Sequence, residues 1–132
     1  MPPAAPSAWS GVRMAKQYGP ACPQQCDLPP FTCPIRGVSE DCLHLDVYTP
    51  RLATITKPLP VMVFFYGGNY KQGGSSTPLY NGDFLANNTN VVTVVLNYRL
   101  GALAFFVNNA VTGTPPAPRL LLPPLPCCWL TD

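Results

Sequence analysis

Few residues in this 132-residue chain have the type and setting to do chemistry. The first group is Tyr66-Gly67-Gly68-Asn69, which directly follows the apolar run Val61-Met62-Val63-Phe64-Phe65. Glycines at the end of a strand leave their backbone N–H groups open, because no Cβ stands in the way. Two converging N–H donors stabilise the oxyanion that develops during acyl transfer. Taken by themselves, paired glycines after a strand also read as a plain turn. A nucleophile and a base are harder to find. The only histidine is His44, and no Gly-x-Ser-x-Gly occurs anywhere in the sequence. The nearest approach, Gly73-Gly74-Ser75-Ser76-Thr77, lacks the closing glycine and follows no buried strand. A base needs a nucleophile within hydrogen-bond reach, so His44 is expected to sit with Asp46 on a solvated strand face instead.

Six cysteines offer a second kind of chemistry: Cys22, Cys26, Cys33, Cys42, Cys127 and Cys128. Zinc needs paired Cys or Cys/His half-sites, and Cys22-x-x-x-Cys26 has no good second half. No metal site is expected. Four cysteines within twenty-one residues, together with the sequon Asn87-Asn88-Thr89, favour disulfides and an oxidising compartment. The spacing alone fixes no pairing.

The elements that must position these groups are mostly strands. Leu43-His44-Leu45-Asp46-Val47-Tyr48 alternates, with Leu43, Leu45 and Val47 on one face, as a half-buried strand near a sheet edge does. Thr49-Pro50 closes it. The continuous run Val61–Tyr66 predicts a central strand buried on both faces, and Val91–Leu96 repeats the pattern about thirty residues on. A short helical turn is expected at Gly82–Ala86. Residues 1–35 carry eight prolines and no apolar period, so they read as loop. From Thr114 to Asp132, six prolines, a Leu120-Leu121-Leu122 run and Cys127-Cys128 give a tail without helix or strand period, expected to be disordered. That abrupt change near Gly113 is what a shifted reading frame or intron sequence produces.

Composition narrows the function classes. Hydrophobic residues make up 47% and charged residues only 11%, with 18 prolines, about three times the usual share. The net charge of +2 is spread thinly, which argues against a nucleic-acid partner. No apolar run is long enough for a membrane span. The stretch Met1–Pro6 has neither the basic nor the apolar region of a signal peptide.

Several segments taken in order carry a resemblance. They are Ala8-Trp9-Ser10-Gly11-Val12-Arg13, Ala21-Cys22-Pro23-Gln24, Ser39-Glu40-Asp41-Cys42-Leu43-His44-Leu45-Asp46-Val47, Leu59-Pro60-Val61-Met62-Val63 and Asn97-Tyr98-Arg99-Leu100-Gly101. Together they resemble the N-terminal part of the type-B carboxylesterase family, which includes the cholinesterases. The third segment is similar to the family's Ser-Glu-Asp-Cys-Leu-Tyr-Leu-Asn-Val signature, with His44 and Asp46 replacing Tyr and Asn. The resemblance covers about three-quarters of the chain, but only the beginning of a much longer family domain.

The resemblance implies an α/β fold, here the incomplete N-terminal part of an α/β-hydrolase sheet. It assigns residues 1–113 to the family domain and leaves 114–132 as a non-family tail. It implies that Cys22 and Cys42 form the family's first disulfide. Cys26 and Cys33, inside that loop, have no family counterpart, and a second local bridge is the simplest expectation for them. Gly67 and Gly68 match the oxyanion-hole glycines, with Tyr66 in place of the usual His and Asn69 in place of the usual third small residue. The implied parent is a secreted or extracellular serine esterase that needs no cofactor, takes a small-molecule carboxylic ester and is glycosylated at Asn87. The family's nucleophile, acid and base fall outside this sequence, so the chain as written is expected not to hydrolyse esters. The alternative is part of a non-catalytic, cholinesterase-like adhesion or binding protein. Whether a Gly-x-Ser-x-Gly follows in the natural reading frame separates the two.

Overall fold

The computed structural model describes residues 5–27, 29–51 and 57–105. The proline-rich tail 114–132, with Cys127 and Cys128, lies outside the described residues. The chain divides into two units, one of which is Gln17–Phe106. Residues 5–16 belong to the other; there the Arg13 guanidinium lies 5.4 Å from the centre of the Trp9 ring.

Among the described residues of Gln17–Phe106, three strands form one sheet: β1 (Leu45–Tyr48), β2 (Val61–Phe64) and β3 (Val92–Leu96). Their order is β1-β3-β2. β3 pairs antiparallel with β1, Leu45 opposite Leu96 and Tyr48 opposite Thr93, and parallel with β2, Val61 opposite Val92 and Phe64 opposite Val95. A parallel pair cannot be closed by a tight turn. The crossover from β2 to β3 therefore runs through a long loop and the helix α1 (Asp83–Thr89), longer than the single turn expected from the sequence. The Asn81 side chain accepts from the Asp83 N–H at 2.8 Å to start α1, and Asn90 ends it in the left-handed region at φ 52°. A second short helix, α2 (Gly101–Phe105), follows β3.

The core is small and rich in tyrosine: Tyr48, Tyr66, Ala86, Val95 and Leu100, with Tyr18, Tyr80 and Tyr98 packed against it. β3 is the central strand, and Thr93, Val95 and Leu96 are buried. The N-terminal loop is fastened beneath it by the fully buried Cys22–Cys42 disulfide, whose Cα atoms are 4.8 Å apart. A bridge of this loop length stabilises by about 3 kcal/mol, chiefly by restricting the unfolded chain. A backbone ladder beside it, Ala21 N–H to Gly37 O at 3.0 Å and Ser39 N–H to Ala21 O at 2.9 Å, seals the same joint.

Two expectations are corrected here. β2 is not a central, doubly buried strand. It is an outer strand, and Val61, Met62, Val63 and Phe64 are 43–62% exposed. Its continuous apolar run is written for cover on both faces, and no element among the described residues supplies that cover. On β1, the face carrying His44 and Asp46 is not a solvated one. Both residues are half-buried, and Tyr48, two residues along the same face, is buried. Loss of water raises the Asp46 carboxyl above its ordinary value, against smaller opposing effects of the nearby Ser75 side chain and His44.

A folded-state pKa above the unfolded one means that the native chain binds the proton more tightly, so stability falls as pH rises through that interval. Asp46→Asn removes the buried charge. It is therefore expected to raise the urea midpoint at pH 7, and to leave it unchanged once pH drops below 3.8, the ordinary Asp value, where both side chains are neutral. Urea unfolding at pH 7 and pH 3 checks this.

Candidate active site

The candidate site is the loop that leaves β2. Its first residue, Tyr66, is 2% exposed and stacked between Tyr80 and Tyr98, with ring centres at 5.7 and 4.5 Å. Burial pushes the Tyr66 hydroxyl well above the ordinary phenol range, so it stays protonated. The carbonyls of residues 66, 67, 68 and 70 all find partners. Tyr98 donates its hydroxyl to Tyr66 O at 2.6 Å, and Tyr80 donates to Gly67 O at 3.2 Å. Gly68 O accepts from the N–H groups of Lys71 at 3.0 Å and Gln72 at 3.3 Å. Tyr70 O accepts from the Gly101 N–H at 2.7 Å, at the start of α2. Among the described residues, the N–H groups of Gly67, Gly68 and Asn69 donate to no backbone carbonyl outside the strands and helices. The loop thus has most of its acceptors engaged while the N–H groups of Gly67, Gly68 and Asn69 stay open.

Close packing requires glycine at two points. Gly68 lies at φ 141°, and a Cβ there would run into the Gln72 carbonyl. Gly73 lies at φ 125°, and a Cβ there would stand 2.5 Å from the Tyr66 ring. Between them Asn69 and Tyr70 adopt left-handed backbone at φ 54° and 58°. Such a conformation costs of order 1 kcal/mol for a residue with a side chain, least for Asn.

The loop faces an open groove of about 610 Å³, lined on one side by Gly68, Asn69, Lys71 and Gln72. Pro23, Gln24, Gln25 and Asp27 of the N-terminal loop and the start of α2 form the other walls. This is the kind of space an acyl-transfer site needs: donors at a wall, with room for a substrate in front.

The other sequence candidates lie elsewhere. His44 is held through Nε2 by the Asp41 carbonyl at 3.1 Å, with Asp41 Oδ1 at 3.8 Å, and it does not line the groove. Ser75 and Ser76 are 1–2% exposed, and the Ser75 N–H donates to Asn97 Oδ1 at 2.7 Å, so this stretch is a packed turn. Cys26 is joined to Cys33, with Cα atoms 5.7 Å apart. Asn87 is exposed on α1. Among the described residues, no cluster of three or more His, Cys, Asp or Glu side chains is arranged to hold a metal. None of the described helices is long and apolar enough to cross a membrane. Sequence reasoning missed the role of Gln24, which the structure places against Gly73; its only signal was membership of the Ala21-Cys22-Pro23-Gln24 segment.

A β1-β3-β2 sheet with one antiparallel edge, a glycine loop leaving the parallel strand and a disulfide-fastened N-terminal loop define the opening part of an α/β-hydrolase of the esterase kind. The sequence profile described as the carboxylesterase family matches residues 1–113. The chain belongs to the carboxylesterase family. It is 43% identical over 111 residues to Crystal protein of Dictyostelium discoideum, covering 84% of this chain and 20% of that protein. It is also 43% identical over 104 residues to para-nitrobenzyl esterase of Bacillus subtilis (strain 168), covering 78% and 21%. Cholinesterase of Mus musculus is 41% identical over 119 residues, covering 83% and 19%. A solved structure of a thermophilic PNB esterase superposes with a TM-score of 0.63 at 42% identity, over 71% of this chain and 19% of that one. The chain therefore spans about a fifth of the length of the relatives it matches.

The packing around Tyr66 makes the two ends of the loop respond differently to an added methyl. Gly73→Ala is expected to cost about 2 kcal/mol or more, because neither the ring nor the backbone φ can accept it. Gly67→Ala, where nothing lies within 4 Å of an added Cβ, is expected to stay within about 0.5 kcal/mol of the parent chain. Urea unfolding of both variants checks the pair.

Proposed function

We propose that this chain is the N-terminal portion of a serine carboxylic-ester hydrolase and that its contribution to catalysis is the oxyanion hole. Gly67 and Gly68 supply the donors. The observation that carries this reading is the loop's asymmetry: the carbonyls of residues 66, 67 and 70 are bound by other parts of the chain and that of Gly68 by the loop's own Lys71 and Gln72, while the N–H groups of Gly67 and Gly68 stay open, Gly68 lining the groove and Gly67 next to it in the chain. Preorganised donors of this kind stabilise charge without having to reorganise during the reaction. The substrate is a small-molecule carboxylic ester, attacked by a serine that this chain does not contain and released through an acyl-enzyme. By itself the chain does not hydrolyse esters. Residues 1–113 form part of the catalytic domain and 114–132 lie outside it. The parent is secreted, with Asn87 glycosylated. The exposed position of Asn87 and the two disulfides favour that compartment.

A second reading, a non-catalytic member of the family, draws on Asn69, which puts a carboxamide on the groove wall where the family usually has a small residue.

A chimaera tests both readings. Residues 1–113 replace the matching segment of Bacillus subtilis para-nitrobenzyl esterase, and hydrolysis of p-nitrophenyl acetate is followed. The proposal expects an active chimaera that keeps its melting midpoint within a few degrees but loses about 10²–10³-fold in kcat when Gly68 is changed to Ala, because the added Cβ meets the Gln72 carbonyl and turns the loop N–H groups away from the oxyanion. The free 132-residue chain is expected to show no activity above buffer. A chimaera that melts cooperatively yet is inactive, and recovers when Asn69 is changed to Gly, establishes the second reading instead.

A further inference from the structure

The side chain that holds the glycine loop from outside is Gln24. Its carboxamide makes a two-point contact with a residue 49 positions away. Oε1 accepts from the Gly73 N–H at 2.6 Å, and Nε2 donates to Gly73 O. The same Nε2 donates to Cys22 O at 3.1 Å, which orients the amide plane. Both the donor and the acceptor of Gln24 are therefore used on the backbone, as a strand neighbour would use them. Gln24 is itself anchored on both sides, because Cys22 and Cys26 each sit in a disulfide.

Its partner is the point at which the loop closes on Tyr66. Gly73 packs so tightly on the Tyr66 ring that no Cβ fits there, and Tyr66 is the residue immediately before the open N–H groups. Between Gly68 and Gly73 the backbone passes through two left-handed residues that carry side chains, Asn69 and Tyr70. Strain of that kind persists only where the surroundings over-determine the backbone. At the Gly68 end it is held by Gly68 O accepting from Lys71 and Gln72, in the middle by Gly101 on Tyr70 O, and at the Gly73 end by Gln24.

We infer that Gln24 is a positioning residue for the oxyanion loop: through its two-point grip on Gly73 it sets the backbone of Gly67 and Gly68 and fixes the direction of their N–H groups. The inference rests on the oxyanion reading for its catalytic meaning, whereas its structural content concerns the loop alone. A side chain from the N-terminal, disulfide-rich segment thus tunes a site built on the sheet. Gln24 touches no reacting atom in this account.

The test uses the full 132-residue chain, labelled with ¹⁵N, and reads the amide resonances of Gly67, Gly68 and Gly73 in the Gln24→Ala and Gln24→Glu variants. Glutamate preserves size and the acceptor. Ionised, it turns a carboxylate toward the carbonyls of Gly73 and Cys22; protonated, it has a donor and an acceptor again, like the amide. The expected result for Q24E is displaced or broadened Gly67 and Gly68 resonances at pH 7. They return toward the parent positions as the carboxyl protonates, above its ordinary value of about 4.3 because two carbonyls face it. Q24A is expected to show the displacement without the recovery. That difference separates the effect from pH-dependent changes elsewhere in the groove, whose lining includes Asp27 and Lys71. If Gly67 and Gly68 keep the parent positions in both variants while only Gly73 moves, Gln24 does not position the loop and the inference is wrong. The same holds if Q24E fails to recover on protonation. Because the readout is the loop backbone, a dead chimaera in the hydrolysis experiment leaves this result standing, and unmoved resonances leave the oxyanion reading standing.

Discussion

Everything at the site depends on where the carbonyls of the glycine loop are spent. The carbonyls of residues 66, 67, 68, 70 and 73 all accept hydrogen bonds, and each such bond fixes the backbone that aims the open N–H groups. Gly68 O is bound within the loop by Lys71 and Gln72, and the other partners come from different parts of the chain. The hydroxyl on Tyr66 O comes from just after β3, and that on Gly67 O from the crossover. The N–H on Tyr70 O comes from α2, and the amide on Gly73 O from the N-terminal loop. The donor row is thus a property of the whole assembly and not of the glycines alone.

This explains why the segments that carry the family likeness are scattered. Asn97 illustrates the point: its N–H donates to His44 O at 2.9 Å, its Oδ1 accepts from Ser75 and its Nδ2 donates to Pro20 O at 3.1 Å. One side chain and its backbone join β1, the turn after the glycine loop and the N-terminal segment. Leu100, three residues on, is buried in the core, and Gly101 at φ 59° turns its N–H onto Tyr70 O. The Asn97–Gly101 segment is a junction, and its residue types follow from the bonds it has to make.

Much of the sheet was legible in the sequence, because apolar runs of strand length, bounded by proline and glycine, mark strands whatever covers them. β3 and β1 appear where the pattern places them. β2 shows the limit of that reading. Its run Val61–Phe65 has the composition of a buried strand, yet these side chains are 43–62% exposed, since periodicity reports the cover a strand is suited to and not the cover present. The chain spans about a fifth of its relatives' length, and in the proposed reading the remainder of the catalytic domain covers β2. Asp46 was misread for a related reason: alternation assigns faces but does not reveal that a buried tyrosine and a serine turn close over the polar one. Gln24 was invisible because its meaning lies in a contact 49 residues away.

The central claim is that the loop's engaged carbonyls leave the Gly67, Gly68 and Asn69 N–H groups free, and amide hydrogen exchange on the full chain tests this directly. The account predicts that the N–H groups of Gly73, Lys71 and Gly101, which are hydrogen-bonded, exchange far more slowly than those of Gly67, Gly68 and Asn69, which exchange close to the unprotected rate. Protection of Gly67 and Gly68 equal to that of Gly73 would contradict it, because donors already engaged within the chain are not available to an oxyanion.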